Sequence, residues 1–190
     1  NFQSVALFIL KNPKSYFEIR MNDSFKVKKH EADGKGSIIS TFLLNNKKIS
    51  IIGNHLQFDT KNFNERNIEW LNVINDLLFE NDYIIMMGDL NYRVELSRDK
   101  ALKKISQKDF SRLMRADQLR KAQKIYPLLN LFKEPLIKFP PTYKFDINSS
   151  CYDTSSKKRV PSYTDRILVA TFGNNSLPRS VEYNIINTYL

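Results

Sequence analysis

The sequence predicts a layered α/β sandwich built as one domain over residues 1–190, on three observations. Strand-sized apolar runs come first, amphipathic helical segments follow, and strand-sized runs return near the end, the order expected when helices cover a sheet. Glycine and proline are scarce, at 5 and 7 residues, and no shift in composition marks a linker. Hydrophobic residues make up 42% and charged residues 26%, ordinary globular usage that excludes a disordered chain.

In chain order, residues 4–10, 37–44, 48–54, 83–87, 165–171 and 180–187 read as buried strands, rich in Ile, Val and Leu. Asn45-Asn46, between the second and third, reads as a hairpin turn because Asn tolerates positive φ. Residues 62–80 read as a helix whose apolar face carries Ile68, Leu71, Ile74, Asn75 and Leu78, widened by Val73 and Leu77, with Asn62 and Glu65 at capping-box spacing. Shorter helices follow at 99–105, 108–114 and 117–125, and Pro127 stops the last. Residues 133–163 form a proline-punctuated loop, long enough to imply a functional role.

Composition narrows function only coarsely. No stretch approaches the roughly 20 apolar residues of a membrane helix, and no basic segment precedes the early apolar run as a signal peptide requires. The single cysteine, Cys151, excludes an internal disulfide and a cysteine zinc site, and reads as an unpaired thiol in a reducing compartment. A net charge of +10 suits anionic partners, whether nucleic acid, an acidic membrane face or phosphorylated substrates. Lys and Asn are abundant throughout, so only basic residues beside a chemical motif carry functional weight.

Four segments carry chemistry. The strand at 83–87 runs into Gly88-Asp89-Leu90-Asn91-Tyr92-Arg93. If the extended conformation persists, Asp89 and Asn91 share a face, the Asp able to orient or deprotonate a water and the Asn amide to donate to a phosphoryl oxygen. The competing reading is a strand ending in an Asx turn. His55, in Gly53-Asn54-His55-Leu56, closes another strand and can stabilise phosphoryl charge; alone it is equally a structural histidine. Gly34-Lys35-Gly36 is a turn carrying a cation. Asp165-Arg166 opens the strand at 165–171, where the Asp can orient a histidine or the two can form a structural ion pair. Tyr143, Lys144, Lys157 and Arg159, in the long loop, combine one hydroxyl with three cations suited to a second, non-reacting phosphate.

In order and wording these segments resemble the inositol polyphosphate 5-phosphatase family. The matching phrases are Lys35-Gly36, Asn54-His55-Leu56, Glu65-Arg66-Asn67, Gly88 to Arg93, Asp117-Gln118-Leu119, Pro141-Thr142-Tyr143-Lys144 and Asp165-Arg166-Ile167-Leu168, and they span nearly the whole chain. The resemblance implies a four-layer DNase I-like sandwich, two mixed β-sheets flanked by helices, incomplete at both termini. It implies Mg²⁺-dependent hydrolysis of the 5-phosphate of phosphoinositides or soluble inositol polyphosphates by direct water attack. Asp89 would orient the water, Asn91 contact the scissile phosphate, His55 stabilise phosphoryl charge and Asp165 support a catalytic histidine. Tyr143, Lys144, Lys157 and Arg159 would grip the 4-phosphate, with Lys35 beside the headgroup.

Gly34, Asn54 and Ser162-Tyr163-Thr164 depart mildly from the family wording. The family's metal-binding Glu would precede Asn1 and its Ser-Asp-His segment would follow Leu190, so the chain as given is expected to be inactive or nearly so. His30 lies far from any motif. The expected partners are an inositol phosphate headgroup and an anionic membrane surface, without nucleic acid, for a monomeric catalytic domain that is cytoplasmic and peripheral to membranes. The two alternatives are a DNase I-like nuclease and a non-catalytic phosphoinositide-binding module.

Overall fold

The computed structural model describes residues 19–29, 34–59, 62–178 and 182–185. Its framework is a five-stranded sheet in sequence order: β1 (Ile19–Lys29), β2 (Gly36–Leu44), β3 (Lys47–His55), β4 (Tyr83–Asp89) and β5 (Asp165–Thr171). The first three strands are antiparallel neighbours, β3 and β4 are parallel, and β5 runs antiparallel to β4. The predicted hairpin is present, with Asn45 at φ 49° and Asn46 at φ 61°, the left-handed pair that a tight two-residue connection requires. Strand β1 was missed because its residues are mostly polar, as suits a strand at the sheet edge. The predicted strand at 4–10 lies outside the described residues. Of the one at 180–187, the described part, 182–185, forms no strand.

Helix α1 (Phe63–Ile74) provides the crossover between the parallel pair β3 and β4. It is shorter than the predicted 62–80, and turns carry the chain on through Glu80. Asn62 makes no side-chain cap; its Nδ2 donates back to the Phe58 carbonyl instead. The helix is also rotated from the apolar stripe expected of it. Ile68 is 53% exposed, while Arg66, Asn67, Trp70, Val73 and Ile74 are buried. A hydrophobicity count misses Arg66 and Asn67 because a buried polar group is tolerated only when its partners are supplied, and those come from distant segments.

Trp70 sits among Ile39, Ile52, Ile84, Met86, Leu168 and Ala170 from one face of the sheet. Its ring centroid lies 6.1 Å from that of Tyr92 and 5.5 Å from that of Phe132. Leu119 and Ala122 of α4 (Gln118–Ile125) and Leu129 of α5 (Pro127–Asn130) complete this core. Pro127 ends α4 as predicted and then opens α5, where its missing N–H costs nothing. A smaller core joins α2 (Arg98–Ser106) and α3 (Phe110–Arg115) to the long loop through Ala101, Leu113, Ile137, Phe139 and Tyr163. The other face of the sheet carries Ile38, Ile49, Ile85, Met87, Ile167 and Val169, none fully buried among the described residues. So apolar a surface is what an inner sandwich face requires. The described residues contain one sheet of the two that a four-layer sandwich has.

Strand β5 is anchored by Arg166, whose guanidinium is wholly buried. It meets Glu134 at 2.6 and 2.7 Å and Asp117 at 2.9 Å, tying the sheet to the long loop and to the start of α4. The ion pair read between Asp165 and Arg166 is not formed: neighbours on a strand point to opposite faces, and Arg166 pairs with Asp117 and Glu134 instead.

Two expectations follow. Gly88 has φ +112°, and a Cβ there would lie 2.4 Å from the Asn54 carbonyl oxygen. Gly88→Ala is therefore expected to cost on the order of 2–4 kcal/mol, read from denaturant unfolding. Arg166→Met strands two buried carboxylates and should cost about 3–5 kcal/mol in the same assay.

Candidate active site

Sheet register assembles the site. Gly36 pairs with His55, His55 with Asp89, and Asp89 with Asp165, so four strand ends meet in one row. Residues as far apart in sequence as Asp89 and Asp165 thus sit on adjacent strands at the ~4.8 Å spacing of a sheet. Lys35, just before β2, contacts the His55 Nε2, and the same nitrogen lies 3.4 Å from the Asp89 Oδ2. Burial and the Lys35 cation hold the His55 pKa below the usual histidine range, so its ring is neutral at pH 7 and the Asp89 contact is polar rather than an ion pair. Burial and the neighbouring Asp165 charge push Asp89 up to about 6, against the pull of the Asn91 amide, Arg93 and Lys35. Burial likewise lowers the Lys35 ammonium.

The extended conformation does not persist to Asn91, which has φ +54°. The Asx-turn reading is the one realised: Asp89 Oδ1 accepts from the Asn91 backbone N–H at 3.0 Å. The turn still delivers both residues to the same cleft. Asn91 is buried, with its Nδ2 donating to the Leu56 carbonyl and its Oδ1 accepting from Arg93.

The cleft measures about 810 Å³. Of the residues proposed from sequence, Lys35, His55, Asp89, Asn91, Tyr143, Lys157 and Arg159 line it. Lys144, next to Tyr143, is exposed and is not among the residues lining it. Asp165 holds its place in the row but is also outside the lining, where its Oδ2 accepts from Thr142 and Thr164. The cations of the long loop are presented by a small polar scaffold. The buried Asp153 carboxylate takes the Arg159 backbone N–H at 2.9 Å, the Arg159 guanidinium at 3.1 Å and the Ser155 hydroxyl at 2.6 Å. These bonds hold its pKa below the usual carboxylate range. Tyr143 is fixed by reciprocal backbone bonds with Ser162.

Sequence reasoning missed Arg93 and Lys100, both lining the cleft. Arg93 was visible as the last residue of a recognised phrase, whereas nothing beside Lys100 in the sequence marks it. The phrases Glu65-Arg66-Asn67 and Asp117-Gln118 acquire roles as the frame. Arg66 donates to the carbonyls of Gln57 and Asp59, closing the loop after His55, and to the Gln118 Oε1. That same oxygen accepts the Arg93 backbone N–H, and the Tyr92 hydroxyl donates to Asn67.

A family model described as Endonuclease/Exonuclease/phosphatase family 2 matches residues 1–190. Inositol-1,4,5-trisphosphate 5-phosphatase 1 of Schizosaccharomyces pombe is 37% identical over 141 residues, covering 70% of this chain and 13% of its own length. Phosphatidylinositol 4,5-bisphosphate 5-phosphatase INP51 of Saccharomyces cerevisiae is 34% identical over 144 residues, 72% of this chain and 15% of its own length. The chain therefore spans a small part of these curated relatives. Among solved structures, the inositol polyphosphate 5-phosphatase domain of SPsynaptojanin, in complex with inositol (1,4)-bisphosphate and calcium ion, matches with a TM-score of 0.74 and 36% identity over 80% of this chain and 47% of that one. A Cimex nitrophorin in its ferrous NO complex matches with a TM-score of 0.62 and 25% identity, covering 80% and 54%. One fold thus serves unlike purposes, and the side chains of the cleft must decide between them.

The raised pKa of Asp89 has a consequence for stability. A carboxyl whose folded pKa is raised stabilises the fold fully below its unfolded value, and that contribution is lost as pH rises through about 6. In buffer free of divalent cations, Asp89→Asn should raise stability at pH 7.5 by about 1–2 kcal/mol, allowing for solvent screening. The gain should vanish near pH ~4, where the wild-type carboxyl is itself neutral; thermal melts across that range provide the check.

Proposed function

The chain belongs to the endonuclease/exonuclease/phosphatase family 2, and from that premise we propose that its cleft hydrolyses the 5-phosphate of phosphoinositides, such as phosphatidylinositol 4,5-bisphosphate, or of soluble inositol polyphosphates. The observation that carries this reading is one cleft with two chemically distinct walls. His55 and Asp89 stand at the strand ends, and Tyr143, Lys157 and Arg159 come from the loop facing them. The names of the curated relatives support the same substrate class.

Asp89, with a pKa near 6, is poised to orient a water and accept its proton near neutral pH. Attack forms the new P–O bond as the bond to the 5-oxygen breaks, and the leaving oxygen is protonated. His55 and Lys35 stabilise the charge spread over the phosphoryl oxygens. Lys157 and Arg159 bind the non-reacting 4-phosphate, which turns binding energy into alignment of the scissile one.

Mg²⁺ is the ion we assign to the reaction. Among the described residues no three His, Cys, Asp or Glu side chains come together as a cage. The donor chemistry nevertheless fits, because Mg²⁺ keeps several waters and reaches phosphates through one or two carboxylates, and besides Asp89 the cleft is lined by Asp59 and Glu95. When bound it would polarise a phosphoryl oxygen and offset phosphate charge. The net charge of +10 and the cations at the cleft support a cytoplasmic protein that contacts anionic membranes peripherally.

The test uses the natural protein that contains this chain, given Mg²⁺ and either phosphatidylinositol 4,5-bisphosphate vesicles, soluble inositol 1,4,5-trisphosphate or plasmid DNA. Release of the 5-phosphate is expected, with Asp89→Asn lowering kcat by roughly 10²–10⁴-fold. Joint Lys157→Met and Arg159→Met replacement should slow substrates bearing a 4-phosphate by at least about tenfold in kcat/KM. Nicking of DNA without phosphate release would favour a nuclease, and vesicle binding without turnover a non-catalytic module; either would sink the proposal.

A further inference from the structure

We propose that Arg93 is a positioning residue that locks the hydrolytic wall of the cleft to the phosphate-gripping wall, so that hydrolysis is fast only when a neighbouring phosphate fills the grip. The inference rests on the 5-phosphatase reading and adds to it the physical link between its two halves.

The Arg93 guanidinium touches both walls. One of its nitrogens donates to the Asn91 Oδ1 at 2.7 Å, while the Asn91 Nδ2 donates to the Leu56 carbonyl at 2.9 Å. The Asn91 amide is thus held at both ends, its oxygen committed and one N–H left over for a phosphoryl oxygen. The same guanidinium lies with its central carbon 4.2 Å from the centroid of the Tyr143 ring, a close cation–π stack. Tyr143 belongs to the grip, and its backbone is pinned to Ser162 in both directions.

Arg93 is itself braced from behind. Its backbone N–H donates to the Gln118 Oε1 at 3.1 Å, and its carbonyl accepts from the Gln118 backbone N–H at 2.9 Å. Among the described residues its side chain hydrogen-bonds Asn91 and no carboxylate. Buried Arg66 likewise meets a neutral amide, Gln118, and a ring, Tyr92; what sets Arg93 apart is that both of its partners, Asn91 and Tyr143, line the cleft. Arg93 commits its guanidinium to one neutral amide and one ring, both in the cleft, and its charge acts on the Asp89 carboxylate across it. A phosphate that settles against Tyr143 presses on the ring stacked over Arg93, and Arg93 holds the amide that meets the reacting group. Lysine reproduces the hydrogen bond but not the flat stack.

The test compares wild type, Arg93→Met and Arg93→Lys in the natural protein on two soluble substrates, inositol 1,4,5-trisphosphate and inositol 1,5-bisphosphate, which lacks the 4-phosphate. Arg93→Met is expected to lower kcat on the trisphosphate about 100-fold and on the bisphosphate by less than about 5-fold, collapsing the preference between them. Arg93→Lys should recover part of the rate but little of the preference. Equal losses on both substrates, or a loss confined to KM, overturn the inference while leaving the 5-phosphatase reading intact. A second readout does not require turnover: the Asn91 side-chain amide and Tyr143 ring resonances of the natural protein by NMR. Both should shift in Arg93→Met, and in Arg93→Lys the Tyr143 ring should shift while the Asn91 amide is largely retained. Unchanged resonances overturn the positioning role even if the wild type releases no phosphate, an outcome that would by itself reject the 5-phosphatase reading.

Discussion

The parallel pairing of β3 with β4 is the constraint from which the rest of the site follows. It aligns His55 with Asp89, and it does so through a backbone approach at Gly88 and Asn54 so close that no side chain fits between them. Because side-chain direction alternates along a strand, a slip of one residue would send Asp89 to the opposite face of the sheet. Pinning the register at Gly88, one residue before the functional carboxylate, leaves the least chain over which error can accumulate. Strand β5, antiparallel to β4, then brings Asp165 into the same row without further machinery.

A second layer of control lies in buried polar groups that contact no substrate. Arg66, Gln118 and the Arg93 backbone form one connected set, linking α1, α4 and the turn after β4. Arg166, Asp117 and Glu134 form another, joining β5 to the long loop. Such sets cost desolvation, and each leaves one buried atom unbonded among the described residues, the Arg66 Nε and the Asp117 Oδ2, but every charged group in them meets at least one fixed partner. The cleft lies above both, so its walls are fixed by groups whose own positions are over-determined.

The site is nevertheless held in tension. Asp89 and Asp165 stand side by side, and burial adds to their repulsion to raise Asp89. Lys35 contacts a histidine whose protonation it disfavours. The crowded carboxylates cost stability in the free protein, the kind of strain that collects at functional sites.

The sequence by itself determined the strand–helix–strand order, the hairpin at Asn45-Asn46, β5 to the residue, and the identity of seven residues that line the cleft. Those features are local: period-two apolar runs, turn chemistry and short phrases carry their own physics. What the sequence could not supply was set by contacts distant along the chain. Helix α1 turns a face containing Arg66 and Asn67 inward, where Gln57, Asp59, Gln118 and Tyr92 meet them, and of their polar atoms only the Arg66 Nε and Asn67 Nδ2 find no hydrogen bond among the described residues. Lys144 falls outside the cleft while its neighbour Tyr143, tied to Ser162 far along the chain, lines it. Arg93 stood in plain view at the end of its phrase. Only the fold brought Tyr143, 50 residues downstream in the sequence, to lie against it, because cation–π stacking depends on proximity in space and leaves no periodicity to read.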